Sequence, residues 1–283
     1  MIPDEVHQWS GQNGHGSIIA STPVAGGCIN NGMLLKTESG ATFFLKVNQH
    51  APPDMFAREA EGLAALNVPD GPRVPLPFIF GERFLLLEGL QSAESSSDYW
   101  TRFGHNLAAL HNHTSTRFGF GHDNYIGSTP QRNPWTDDGY AFFAQHRLLF
   151  QARLALTQGL LDSQDARKME HLADRLPDLI PDQPASLIHG DLWGGNAMAD
   201  ESGSPVIIDP AAHFGWAEAE LAMTALFGAF PDKFYAAYQE VQPLAQGYRA
   251  RFPLYNLYHL LNHLNLFGRG YLSQVLGILR RFV

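Results

Sequence analysis

The sequence predicts an α+β chain of two lobes: a small, β-rich N-terminal lobe with one helix over residues 1–88, and a larger, mainly helical lobe over 89–283. Three observations lead there. Up to about residue 88, short apolar runs are cut by Gly- and Pro-rich turns, as strands are; beyond it, apolar residues recur at intervals of three and four, as in helices. The chain has 283 residues, more than a single core usually organises. Two short apolar runs interrupt the helical half, and each ends on a carboxylate-bearing loop, where function tends to reside.

Residues 18–25 and 32–36 read as two strands around the turn Gly26-Gly27-Cys28-Ile29-Asn30-Asn31-Gly32. Residues 42–47, Thr-Phe-Phe-Leu-Lys-Val, form a third. Pro52-Pro53 and Asp54 then open a helix over 55–66, with Asp54 as its N-cap. Strands follow at 78–80 and 84–88. In the second lobe Leu107, Leu110 and His111 share a helical face, residues 140–160 form a long amphipathic candidate, and 257–266 repeat the same period. Residues 186–189 and 206–209 are the short strands beside the chemistry.

Composition narrows the function classes. With 45% hydrophobic and 17% charged residues the chain is a soluble globular protein, and its net charge of −9 argues against nucleic acid or an anionic membrane as partner. No apolar run reaches transmembrane length, and no basic, then apolar leader opens the chain. Cys28 is the single cysteine, so no internal disulfide framework exists. A cytoplasmic monomer is the expectation.

The chemistry lies in His189-Gly190-Asp191-Leu192-Trp193-Gly194-Gly195-Asn196 and, thirteen residues past that Asn, in Asp209-Pro210. Phosphoryl transfer from ATP needs a carboxylate to orient and deprotonate the attacking hydroxyl, together with oxygen ligands for magnesium. Asp191 is the candidate base, and Asn196 and Asp209 are the candidate metal ligands; a protein-kinase catalytic loop has the same Asp-to-Asn interval. Lys46 ends an apolar strand, where a lysine can pair with ATP phosphates if a carboxylate fixes it. Glu59 is that candidate carboxylate, since it shares a helix face with Met55, Leu63 and Leu66; Glu61 competes for the role. The Gly26-Gly27 turn, upstream of the strand lysine, lets backbone amides approach phosphates, although a plain hairpin turn uses the same pair. Cys28 in that loop is either a reactive thiol or an inert buried one. Trp193, two past the base, either walls the acceptor pocket or fills core. Glu218 and Glu220 open an apolar helix, where acids suit the dipole; one of them braces the catalytic loop or meets substrate, and Glu218 is the substrate candidate. His259 and His263 stand four apart among leucines with Asn262 and Asn265, so satisfied core hydrogen bonds are a better reading than zinc.

Gly190 stands where protein kinases carry Arg, and Pro210 follows the metal Asp in place of Phe-Gly, which points to a small-molecule kinase of protein-kinase-like fold. The chain resembles the fructosamine-3-kinase (ketosamine-3-kinase) family in its bacterial branch. The likeness runs nearly end to end, through Gly26-Gly27-Cys28-Ile29-Asn30, residues 43–46, Phe56 with Glu59 and Leu63, Asp123-Asn124-Tyr125-Ile126-Gly127, Gln131, Asn133, Arg147-Leu148, Gln151, residues 189–196, Asp209-Pro210-Ala211, and residues 258–265. His-Gly-Asp alone also fits aminoglycoside and choline kinases; the Asn-Tyr-Ile-Gly segment and the C-terminal His/Asn helix narrow it. The resemblance implies ATP and Mg2+ as cofactors and phosphorylation of the 3-hydroxyl of ketosamines, as small molecules or on glycated protein lysines, with release of the amine. It also implies that Glu88 and Leu90 meet adenine through backbone groups. The stretch after Trp135 departs from the family, which more often places a second Trp there. Two rivals remain: an aminoglycoside- or choline-kinase-like phosphotransferase, and a non-catalytic ATP-binding scaffold. The first calls for acids in the acceptor pocket, of which the C-terminal part offers few beyond Glu218, Glu220 and Glu240.

Overall fold

Strand alternation in the N-terminal lobe decides where its lysine points. The computed structural model describes residues 2–24 and 31–283, so the Gly26, Gly27 and Cys28 expectations lie outside the described residues. A five-stranded antiparallel sheet runs in the order β1-β2-β3-β5-β4, from β1 (Ile18–Val24), β2 (Asn31–Thr37), β3 (Thr42–Val47), β4 (Pro77–Gly81) and β5 (Phe84–Glu88). Successive side chains of a strand point to opposite faces. Phe43, Leu45 and Val47 of β3 join Leu35, Phe84 and Leu86 in a small core under helix α1 (Asp4–Gln12), which contributes Val6 and Trp9. The intervening Phe44 and Lys46 therefore face the other way, where α2 (Met55–Leu66) packs Phe56, Leu63 and Leu66 beside Leu85 and Leu87.

Helix α1 was not expected. It buries only Val6 and Ser10, too few apolar positions for a periodic signal. Asp54 occupies the N-cap position of α2 but its side chain caps nothing; its carboxylate accepts from the Tyr125 hydroxyl at 2.6 Å.

The second lobe is built on helices α3 (Tyr99–His111), α4 (Gly139–Phe143), α5 (Leu149–Thr157), α6 (Ser163–Asp174), α7 (Leu176–Leu179), α8 (Ala217–Met223), α9 (Asp232–Val241), α10 (Tyr248–Phe267) and α11 (Leu272–Phe282). Between them run short strands β6 (Thr114–Ser115), β7 (Asn124–Ile126), β8 (Thr129–Gln131), β9 (Ala185–Ile188), β10 (Ala197–Ala199), β11 (Pro205–Ile207) and β12 (His213–Gly215). β9 is the centre of a three-stranded antiparallel sheet between β12 and β6, while β7-β8 and β10-β11 form separate pairs. The expected helix over 140–160 is interrupted: a π-helical turn, Ala144–Leu148, joins α4 to α5 and carries Arg147. Such turns are frequent at functional sites. A single large core fills this lobe and reaches up to α2 and β5. No described helix is long and apolar enough to cross a membrane.

Arg73 ties the lobes together. Its backbone bridges Val206 of β11, and its guanidinium meets Glu88 at the end of β5 at 2.6 Å and Asp200, beyond β10, at 2.7 Å.

Candidate active site

The loop after β9 is held by its backbone. Gly190 has φ +84°, and a side chain there would collide with the Ala211 carbonyl oxygen. Only glycine satisfies both demands. Ala211 in turn donates its N–H to the His189 carbonyl at 2.9 Å. His189 clips the two functional loops together: its Nε2 donates to the Ile208 carbonyl at 2.8 Å, and its Nδ1 accepts from the Asp191 N–H at 3.2 Å. Burial holds its pKa down, which keeps the single-donor form this pattern needs.

Glu220 supports the same loop from behind. One carboxylate oxygen accepts the Gly190 N–H at 2.7 Å; the other accepts the His189 N–H at 3.0 Å and His111 Nε2 at 2.8 Å. Burial would raise its pKa, but these donors outweigh burial and lower it. The expectation for Glu218 is corrected. Its side chain is buried, paired with Arg251 at 2.5 and 2.8 Å and with the Tyr255 hydroxyl at 3.0 Å, so it is not open to substrate. The two acids are neighbours on α8 (i, i+2) and project to different sides of it.

The remaining groups converge. Asn196 closes a 3-10 turn and donates Nδ2 to the Asp191 carbonyl at 2.8 Å and to its carboxylate at 3.3 Å. That commitment of the amide nitrogen leaves Oδ1 as the ligand-capable atom, a hard oxygen donor of the type magnesium takes. Asp209 sits just past β11 with φ +58°, a left-handed backbone rarely adopted by a residue with a side chain. Its Oδ1 contacts Lys46 Nζ, which also meets Glu59 Oε1 at 2.5 Å. Burial alone would lower the Lys46 pKa; Asp209 and Glu59 outweigh it and raise it, so the ammonium stays charged. Glu61 is elsewhere, between Arg58 at 2.6 Å and His122 at 2.8 Å. Asp191 is pushed well above the usual carboxylate range, first by burial and then by the Asp209 charge.

Trp193 is half-buried, its indole over Gly195 and edge-on to Phe227 at 5.9 Å. The Glu88 side chain is taken by Arg73, and Leu90 follows β5 half-buried. His259 departs from the expected satisfied core residue. It is buried, its Nδ1 has no hydrogen-bond partner, and that atom lies 4.0 Å from Asp191 Oδ1. Burial holds its pKa down at about 3, so it is neutral.

The sequence names Asn124, Gln131, Asn133, Arg147, Gln151 and Tyr258 without a role, and Asn262 and Asn265 as expected partners in core hydrogen bonds. The structure joins them in buried polar chains. Gln131 donates to the Ala211 carbonyl at 2.9 Å and to Asn124 Oδ1 at 2.8 Å, and accepts from Tyr258 at 2.7 Å. Asn124 donates to the Ala212 carbonyl at 2.9 Å, and Arg147 reaches Asn133 at 2.8 Å. On α10, Asn262 accepts from Gln151 at 3.2 Å and Asn265 donates to it at 2.7 Å. Buried side-chain amides demand partners, and here those partners include the carbonyls just after Asp209.

Comparison with known proteins identifies the family. The fructosamine kinase family model matches residues 1–283. A probable ketoamine kinase of Synechocystis sp. is 45% identical over 263 residues, covering 91% of this chain and 88% of its own. The chloroplastic protein-ribulosamine 3-kinase of Oryza sativa subsp. indica is 40% identical over 286 residues, covering 98% of this chain and 82% of its own. The crystal structure of a protein assigned as a fructosamine-3-kinase from Thermobifida fusca YX-ER1 has a TM-score of 0.89 at 35% identity, over 99% of this chain and 98% of that one. With its kinase-like catalytic loop and this end-to-end likeness, the chain belongs to the fructosamine kinase family.

Proposed function

We propose that the protein is an ATP-dependent ketosamine kinase that phosphorylates the 3-hydroxyl of a sugar joined through a ketoamine to an amine, with ribulosamines and fructosamines as the acceptor class. The observation that carries the reading is the convergence of Lys46, Glu59, Asp191, Asn196 and Asp209 from four separate stretches of chain. In this reading ATP lies between the lobes 1–88 and 89–283, with its phosphates near Lys46 and the Gly26-Gly27 turn and its adenine beside Glu88 and Leu90. Asn196 and Asp209 would hold magnesium, which when bound neutralises phosphate charge. Asp191 accepts the proton of the attacking hydroxyl and aligns it, while Trp193 walls the sugar. Placement and charge stabilisation supply most of the acceleration in such transfers. The phosphorylated ketosamine then eliminates and releases its amine, a repair of glycated amines in the cytoplasm.

The acids that a polycationic antibiotic would call on are taken. Glu218 is buried against Arg251 and Glu220 against the catalytic loop, while Glu240 is an exposed residue of α9 beside His105 of α3 at 2.7 Å. The test is an acceptor screen with purified protein. Magnesium-dependent ADP formation stimulated by ribulosamines, with a 3-phosphate identified by NMR, is the expected result. Stimulation by kanamycin or choline instead, or no acceptor-dependent turnover, would remove the reading.

A further inference from the structure

The sugar is only half of a ketosamine; the other half is whatever the nitrogen carries. We propose that this substituent lies along an aromatic shelf on the outer end of α10, with Phe227 and Phe267 as the residues that set preference among amines. The inference rests on the ketosamine reading above.

The shelf begins at the candidate base. His259 faces Asp191, and His263 and Phe267 follow it at four-residue steps, so the three share one face of α10. At 1.5 Å per residue the stripe runs roughly 12 Å outward from the base. Exposure rises along it: His259 is 6% exposed, His263 half-buried and Phe267 52% exposed. His263 is fixed, since its Nδ1 donates to the His259 carbonyl at 2.8 Å. Its ring meets Phe227 at 4.7 Å, Tyr271 at 5.1 Å and Phe267 at 5.4 Å. Phe227 closes the circuit to Trp193 at 5.9 Å, and Trp193 is two residues from Asp191.

The row leads from Asp191 toward solvent and ends on Phe267, a large ring left 52% exposed, with Phe227, His263 and Tyr271 half-buried beside it. The occupant is set by continuity with the acceptor site: a group attached to a sugar at Asp191 leaves in this direction. The chemistry agrees on two counts. A ketosamine nitrogen is a secondary amine, charged at neutral pH, and aromatic faces attract cations. Beyond it, an extended aliphatic or aromatic arm buries apolar area against Phe227 and Phe267.

The experiment compares two ribulosamines with the same sugar, one made from methylamine and one from benzylamine, and reads the ratio of their kcat/KM values. Wild type is expected to favour the benzylamine adduct about tenfold, which corresponds to about 1.4 kcal/mol. Phe267→Ala and Phe227→Ala should bring the ratio close to one, and Phe267→Trp should restore it. Phe80→Ala, an exposed aromatic on the other lobe (54% exposed), should keep the wild-type ratio. Phe227 is partly buried, so Phe227→Leu serves where the alanine variant melts early; it should give an intermediate ratio. A wild-type ratio near one, or a tenfold ratio retained in both the Phe227 and Phe267 variants, overturns the shelf. Failure of wild type to phosphorylate either adduct overturns the ketosamine reading itself, and the shelf with it.

Discussion

Gln131 holds the carbonyl of Ala211 at 2.9 Å, across eighty residues of chain. Ala211 lies two residues past Asp209, whose backbone is left-handed, and its own N–H returns to His189. A side chain in a two-stranded hairpin thus fixes the segment from which one candidate metal ligand projects. Gln131→Leu takes one donor from the Ala211 carbonyl and one from Asn124 Oδ1, which keep His213 and Asn133 respectively, and leaves the buried Tyr258 hydroxyl without this acceptor. It should destabilise the protein by about 1–3 kcal/mol in urea melts, the cost of one buried polar group left unmatched. Turnover should fall with it.

Lys46→Met removes the cation between Glu59 and Asp209. Two carboxylates then face each other with nothing between, and in the proposed reading the nucleotide loses its phosphate partner. Turnover should drop at least about a hundredfold, on the scale of removing one electrostatic donor from an active site. ATP affinity measured by calorimetry should weaken as well.

Asp191→Asn separates stability from catalysis. The folded protein holds this carboxyl well above its ordinary pKa, through burial and then Asp209. A raised acid pKa favours the protonated form, so above it the carboxylate costs stability, and a neutral amide does not. At pH 7–8 the variant should melt higher than wild type, while turnover falls by about 10²–10⁴ with loss of the proposed base. Nucleotide binding should be nearly intact.

Gly190→Ala must set a methyl against the Ala211 carbonyl at φ +84°. Thermal and chemical melts should show a loss of roughly 2–4 kcal/mol, in the class of strain at a special backbone position. Gly194, in the same loop with nothing within 4 Å of an added Cβ, is the control: Gly194→Ala should stay within about 1 kcal/mol.

Acid should loosen the junction of the lobes. Burial would raise the Asp200 pKa, but hydrogen bonds from Ser202, Arg73 and Ser204 outweigh it and hold it well below the usual range. A depressed carboxyl contributes stability that is present above its unfolded pKa, near 4, and is lost as pH falls below that. Asp200→Asn should therefore melt well below wild type at pH 7, and the gap should narrow between pH 4 and pH 2. A gap constant across that range would refute the assignment.

What the sequence reveals depends on how far apart the partners lie. Asp191, Asn196 and Asp209 are legible because the catalytic loop keeps them within a short stretch. Lys46 and Glu59 are legible because strand alternation and helical periodicity each assign a face. Glu218 and Glu220 are two residues apart in similar surroundings, and only the position of α8 over the catalytic loop separates the brace from the Arg251 partner. Likewise Asn124, Gln131 and Tyr258 read as polar residues of no evident purpose, since their partners stand 88, 80 and 127 residues away. No local pattern encodes such a pairing. Helix α1 escapes for another reason: two buried residues leave almost no periodic trace.

The slot at Gly190 bears on control as well as on shape. Kinases that wait for a phosphate on their own activation segment order it through arginine contacts, and in protein kinases an arginine occupies the position before the base. Here a main-chain oxygen fills that volume. A receptor for such a covalent command cannot be installed at this point of the chain without dismantling the loop. The loop keeps its shape through its own main chain, with no covalent command needed at this position.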